Sequence, residues 1–246
     1  MYTYRLILAY DGSRYNGWQK QGNTPNSIQE KLETLLTRLL GEPIEVSASG
    51  RTDAGVHAMG QVVSFHTASR QDCPVLLSEL RRYLPEDFGA LELTEAAPRF
   101  HARLNAVGKT YVYRVWNSDV PNVFERKYMY TFTEPLDLAA METAAAALMG
   151  THDFMSFCAN RRVKKSTVRT IESIHMDRLG NELRFTVTGD GFLYNMVRIL
   201  VGTLLEVGMG KRSPDSMAAL LEAKDRSKAG YLVPPHGLRL EKVFYD

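Results

Sequence analysis

The order in which strand-like and helix-like segments follow one another constrains this chain more than any single motif. Residues Tyr2-Thr3-Tyr4-Arg5-Leu6-Ile7-Leu8-Ala9-Tyr10 alternate and stop at Asp11-Gly12, which predicts a strand and a turn. Ser27-Ile28-Gln29-Glu30 has the form of a capping box; Ile28, Leu32, Leu35, Leu36 and Leu39 then recur at helical spacing until Gly41 and Pro43. Strands are expected at about 44–49 and 60–67, a helix from Pro74 to just before Pro85, and a strand at 90–94.

The second half repeats that order. Residues 109–115 alternate, Leu138, Met141, Ala145 and Leu148 mark a helix, and strands at about 168–176 and 182–188 flank a turn at 177–181. Helical spacing returns from Met196 to Leu205 and again from Ser213-Pro214 to Leu221, before a last strand from Leu238 to Tyr245. Each half therefore reads β-α-β-β-α-β, with one additional helix in the second. The expected class is α+β: two ferredoxin-like halves, residues 1–104 and 105–246, with antiparallel sheets, helices on one face and a binding cleft between them.

Composition narrows the function classes. The 246 residues, 44% hydrophobic and 24% charged, can bury a sizeable core. No apolar run approaches the roughly 20 residues of a membrane span, and the first residues lead into a strand rather than a secretory segment, so no membrane association and a cytoplasmic location are expected. Cys73 and Cys158 form no C-x-x-C pair, and His57, His66, His101, His152, His175 and His236 show no ligand spacing; no metal is expected. A net charge of +2 says little about partners, but basic residues cluster. No acid occurs from Phe154 to Ile171, against Arg161, Arg162, Lys164, Lys165 and Arg169. Such a run is either a solvated loop or a place that holds phosphates.

The segment Gly50-Arg51-Thr52-Asp53-Ala54-Gly55 has two readings. It is a strand connection with an Asx turn, or a loop whose glycines admit a bulky substrate to a carboxylate that a neighbouring cation keeps ionised. Arg198 interrupts the apolar helical run Met196-Val197-Ile199-Leu200-Val201, so it is either buried and paired, with Asp53 a sensible partner, or on a solvent face. Tyr111, in an alternating strand with Tyr113, is a core ring or a stacking platform. Asp11 to Gln21 reads as a plain loop or as one that touches RNA.

Taken together, "YDGSRYNGWQKQ", "GRTDAGVHA", "RFHARLNAVGKTYVYRV", "HDFMSF", "GFLYNMVRILVG" and "PPHGLRL" closely resemble the tRNA pseudouridine synthase A family, in order and across nearly the whole chain. The resemblance implies an isomerase that converts uridine to pseudouridine at positions 38, 39 and 40 of the tRNA anticodon stem-loop, without cofactor and as a homodimer. It puts the nucleophile at Asp53, the ring that stacks on a flipped-out base at Tyr111, the arginine that pairs with the nucleophile at Arg198, and the basic residue of the loop at Arg51. Two rivals stand beside it: a non-catalytic RNA-binding protein, and a hydrolase using Asp53 with His57.

Overall fold

The computed structural model describes residues 1–160, 163 and 165–246. Arg161, Arg162 and Lys164 of the expected phosphate-holding run lie outside the described residues. The chain divides into two compact units, Met1–Val107 with Arg239–Asp246, and Gly108–Leu238. The last strand thus belongs with the first unit, not with the 105–246 half to which sequence order assigned it.

In the first unit the elements are β1 (Tyr2–Tyr10), α1 (Ile28–Leu40), β2 (Ser47–Ala48), β3 (His57–Thr67), α2 (Cys73–Tyr83) and β4 (Phe88–Ala96), joined by the last strand of the chain, Leu238–Tyr245. Strand β1 lies between β4 and β3, antiparallel to both. Tyr4, Leu6, Leu8 and Tyr10 of β1 are buried at period two, as the alternation predicts, and the Tyr4 ring stacks on Phe65 at 5.3 Å. Helix α1 begins where Ser27 accepts from the Glu30 N–H at 3.2 Å and ends at Gly41 with φ 70°, a conformation that glycine adopts without steric cost. The strand expected at 44–49 shrinks to two residues for a local reason. Side chains of α1 take the backbone donors: Thr37 accepts from Ile44 N–H at 3.0 Å and Glu33 from Val46 N–H at 3.1 Å.

In the second unit β5 (Ala106–Asn117, entering from Gly108), β6 (Tyr130–Phe132), α3 (Leu138–Ala146), β7 (Gly150–Asp153), β8 (Val168–Leu179), β9 (Glu182–Gly189), α4 (Met196–Gly208) and α5 (Met217–Ala223) follow in turn. Its ladder runs β5-β9-β8-β7, all antiparallel. The short strands β6 and β7 carry too little periodicity to be read from sequence. Two pairings depart from the expected antiparallel pattern: β6 lies parallel to β5, and β10 (Leu238–Tyr245) meets β3 in parallel at His57 and Ala58. Parallel neighbours need a connection of about a dozen residues or more, which 118–129 supplies for β5 and β6. Among the described residues no helix is long and apolar enough to cross a membrane.

A buried polar network closes the end of β1 and β3. Gln61, fully buried, accepts from Ser49 Oγ at 2.7 Å and donates to Gly50 O at 2.9 Å and to Tyr10 Oη at 3.3 Å; Tyr10 Oη in turn lies 2.8 Å from Thr52 Oγ1. Burial pushes the Tyr10 phenol up to about 12 from 10.0, against the opposing hydrogen bonds from Thr52 and Gln61. In the unfolded chain the phenol ionises near 10, so between pH 10 and 12 the folded protein binds more protons than the unfolded one. The contribution is fully present below pH 10 and is lost as pH rises through 12, on the order of 2–3 kcal/mol. Tyr10→Phe is expected to fall less steeply in stability over pH 10–12 by about that amount, measured by urea denaturation, while losing about 1–3 kcal/mol at pH 8 for the partners it strands.

Candidate active site

The loop between β2 and β3 carries Arg51, exposed, and Asp53, half-buried. It is a shaped turn. Asp53 O accepts from Val56 N–H at 3.1 Å, and Gly55 has φ 77°, which an L side chain rarely adopts. The polar network holds it from below through Gly50 O and Thr52 Oγ1.

Residues 11–27 hold it from the side. Trp18 N–H donates to Thr52 O at 2.9 Å, with the Trp18 ring buried. Two glycines let the backbones touch: a Cβ on Gly12 would sit 2.0 Å from Val56 O, and one on Gly17 would sit 2.9 Å from Thr52 O and 3.1 Å from the Asp53 carbonyl carbon. Gly12 N–H donates to His57 Nδ1 at 3.1 Å, and Asp11 Oδ1 lies at the same distance from that nitrogen. The far end of this segment is tied to α1, whose first N–H groups, on Ile28 and Gln29, donate to Gly17 O and Trp18 O at 3.2 and 3.0 Å. The "YDGSRYNGWQKQ" segment is therefore a clamp on the Asp53 loop, a role its sequence alone did not disclose. Gln61 was missed as well. Its one signal is an amide among the apolar residues of β3.

In the second unit Tyr111 lies on β5 opposite Val187 of β9, and its ring, 8% exposed, meets Phe192 edge to face at 5.2 Å and 85°. Two residues on, Tyr113 is fully buried and donates to Pro234 O at 2.8 Å. Burial raises the Tyr113 phenol well above its ordinary value, with the charge of Arg198 opposing.

Arg198 is 9% exposed in the first turn of α4, which settles the choice between a buried and a solvent face. Its Nε donates to Val233 O at 2.8 Å and its Nη1 to Asn195 Oδ1 at 2.9 Å. The Val233 carbonyl is brought there by close packing: a Cβ on Gly202 would sit 1.9 Å from Tyr231 O, and one on Gly230 would sit 2.6 Å from Thr203 Cα. Thr203 Oγ1 accepts from Gly230 N–H at 3.0 Å, so residues 230–233 lie flush against α4. The nearby imidazole of His236 is held below its ordinary value, chiefly by burial and in lesser part by the Arg198 charge. A cation in the first turn of a helix meets the positive end of its dipole, so α4 and Arg198 together favour an anion beside them. Of the expected site residues, Arg51 and Asp53 stand together in the first unit, Tyr111 and Arg198 in the second. Lys165 is exposed.

The family model described as tRNA pseudouridine synthase matches residues 6–103 and 144–246. The tRNA pseudouridine synthase A of Bacillus sp. (strain KSM-64) is 44% identical over 245 residues, covering all of both chains. That of Moorella thermoacetica is 46% identical over 242 residues, covering 98% of each. The tRNA pseudouridine synthase A 2 of Clostridium perfringens is 43% identical over 247 residues and again covers both chains in full. The chain belongs to the tRNA pseudouridine synthase family, a family of isomerases.

Proposed function

We propose that this chain isomerises uridine to pseudouridine at positions 38, 39 and 40 of the tRNA anticodon stem-loop, as a cytoplasmic homodimer and without a cofactor. Asp53 is the nucleophile, Arg198 and Arg51 keep its carboxylate ionised, and Tyr111 receives a base flipped out of the stem. The observation that carries this reading is the rigid presentation of the Asp53 loop: a half-buried acid on a turn fixed by Gln61, Thr52, Trp18 and the backbone contacts at Gly12 and Gly17. Holding a group in its reacting geometry removes entropy from the barrier, and a carboxylate that is aimed and ionised serves as a covalent catalyst.

The reaction balances without a co-reactant. The bond from C1′ to N1 breaks, the uracil turns, C1′ bonds to C5, the C5 proton leaves and N1 ends protonated. Nothing is oxidised, reduced or hydrolysed. A stacked uridine is out of reach of any side chain, so the base must be extruded, and an aromatic ring lowers the cost of unstacking it. Basic side chains on the 161–165 run hold phosphates and position the stem without reading its sequence.

Asp53→Asn is expected to lower pseudouridine formation in a tRNA transcript by at least about 10³-fold while leaving the fold intact, with modified positions located by reverse-transcription stops after carbodiimide labelling. Wild-type turnover in the Asn variant would remove Asp53 from the chemistry, and modification confined to other positions would overturn the site assignment. Affinity for tRNA should fall linearly on a log–log plot against salt concentration. Lys165→Ala is expected to reduce that slope by roughly 0.7–0.9, the share of one phosphate contact. An unchanged slope would exclude Lys165 as such a contact.

A further inference from the structure

Asn195 precedes α4 at the position where Ser, Thr, Asp and Asn ordinarily cap a helix by accepting from its backbone N–H groups. Here it does something else. Its backbone is left-handed, φ 61° and ψ 11°, and among the described residues its side chain makes no capping hydrogen bond to α4. Its Oδ1 is given instead to the Nη1 of Arg198 at 2.9 Å, three residues along.

Two features of this arrangement are costly for a helix start. Outside glycine, a left-handed residue carries a steric penalty, one that Asn tolerates better than most residues because its short polar side chain can hydrogen-bond locally. A capping interaction is also forgone. Both are spent on the guanidinium of one side chain, which a second neutral acceptor, Val233 O, grips at Nε with a distance of 2.8 Å. The chemistry of the two acceptors matters. An amide oxygen and a backbone carbonyl fix the plane of the guanidinium fork, yet neither neutralises its charge. An Asp or Glu at the same place would fix it equally well and cancel the field that the guanidinium offers to another carboxylate.

We infer that Asn195 is a positioning residue of the isomerase, a neutral acceptor that aims Arg198 at the reacting carboxylate while leaving its charge undiminished. This rests on the role proposed above for Arg198. The strained backbone is part of the device. With Asn195 in the left-handed region, its Oδ1 accepts from the guanidinium of Arg198 in the first turn of α4 and makes no capping bond to the helix N–H groups.

The test is a set of variants in the full chain assayed on a tRNA transcript. Asn195→Gly keeps the left-handed backbone and deletes the acceptor; Asn195→Asp keeps backbone and acceptor and adds a charge. Each is expected to lower kcat by roughly 10- to 100-fold with KM for tRNA within about 3-fold, the signature of misaimed chemistry rather than lost binding. In an Arg198→Lys background, which itself lowers kcat, Asn195→Gly is expected to change kcat by less than about 2-fold, because its effect runs through the guanidinium. The inference is overturned if Asn195→Asp turns over at the wild-type rate, if Asn195→Gly does so, or if the loss caused by Asn195→Gly persists in full in the Lys background. If Arg198→Lys alone leaves kcat untouched, the proposed role of Arg198 fails first and the inference goes with it. Loss of activity in Asn195→Gly through unfolding shows as a lost thermal transition, and Asn195→Asp then decides the question, since it retains the Oδ1 acceptor that Arg198 uses.

Discussion

The side-chain amide of Gln61 is the interaction on which the first unit's site depends. A buried amide costs several kcal/mol unless its donors and acceptor are satisfied, and Gln61 accepts from Ser49 and donates to Gly50 O and Tyr10. Those partners come from two pieces of chain: the consecutive loop residues Ser49 and Gly50 after β2, and Tyr10 at the end of β1. A shift of either piece alone strands a buried polar group. Tyr10 extends it to Thr52, the residue beside Asp53. The backbone on either side of the acid is thus held by hydrogen bonds to its neighbours.

The second unit solves a comparable problem by packing. Arg198 is buried, and a buried guanidinium demands acceptors. One of them, Val233 O, is delivered because Gly202 and Gly230 let residues 230–233 lie directly on α4, where Cβ atoms would collide with backbone at 1.9 and 2.6 Å. The other, Asn195 Oδ1, comes from the helix's own first turn. In both units neutral groups are consumed in building the frame. Asp53 and Arg198 stand at the ends of what those groups hold.

How far this could be read in the sequence depends on whether the cause was local. Helix α1 was legible at both ends because Ser27 and Gly41 act within one turn of themselves. Arg198 was legible because a charge inside an apolar helical run needs a reason wherever it sits. The strand at 44–49 was overread: Ile44 and Val46 are indeed buried, but their N–H groups go to Thr37 and Glu33, a competition between side chain and ladder that period-two patterning does not register. The allegiance of β10 to the first unit was hidden for the opposite reason, since its partner β3 lies far back in the chain. Tyr111 was ambiguous and its burial beside Phe192 explains why: a ring that packs on a neighbouring ring has the same alternation whether or not a base also reaches it.

The strings that carry the family resemblance look independent in sequence and are not independent in space. "YDGSRYNGWQKQ" and "GRTDAGVHA" are two sides of one contact, Gly12 against Val56 and Gly17 against Thr52. "RFHAR" joins the same unit through Ala102, whose N–H donates to Ser64 Oγ and whose carbonyl accepts from Tyr245 Oη. In the other unit "PPHGLRL" meets "KTYVYRV" where Tyr113 donates to Pro234 O and a Cβ on Gly237 would strike the Tyr113 ring at 2.7 Å, and "GFLYNMVRILVG" carries both Asn195 and Arg198. A change in one string is therefore felt in its partner string. That coupling gives a physical reason for these motifs to be rich in glycine and in neutral polar residues. The glycines set how closely the pieces approach, and the neutral donors and acceptors fix their register.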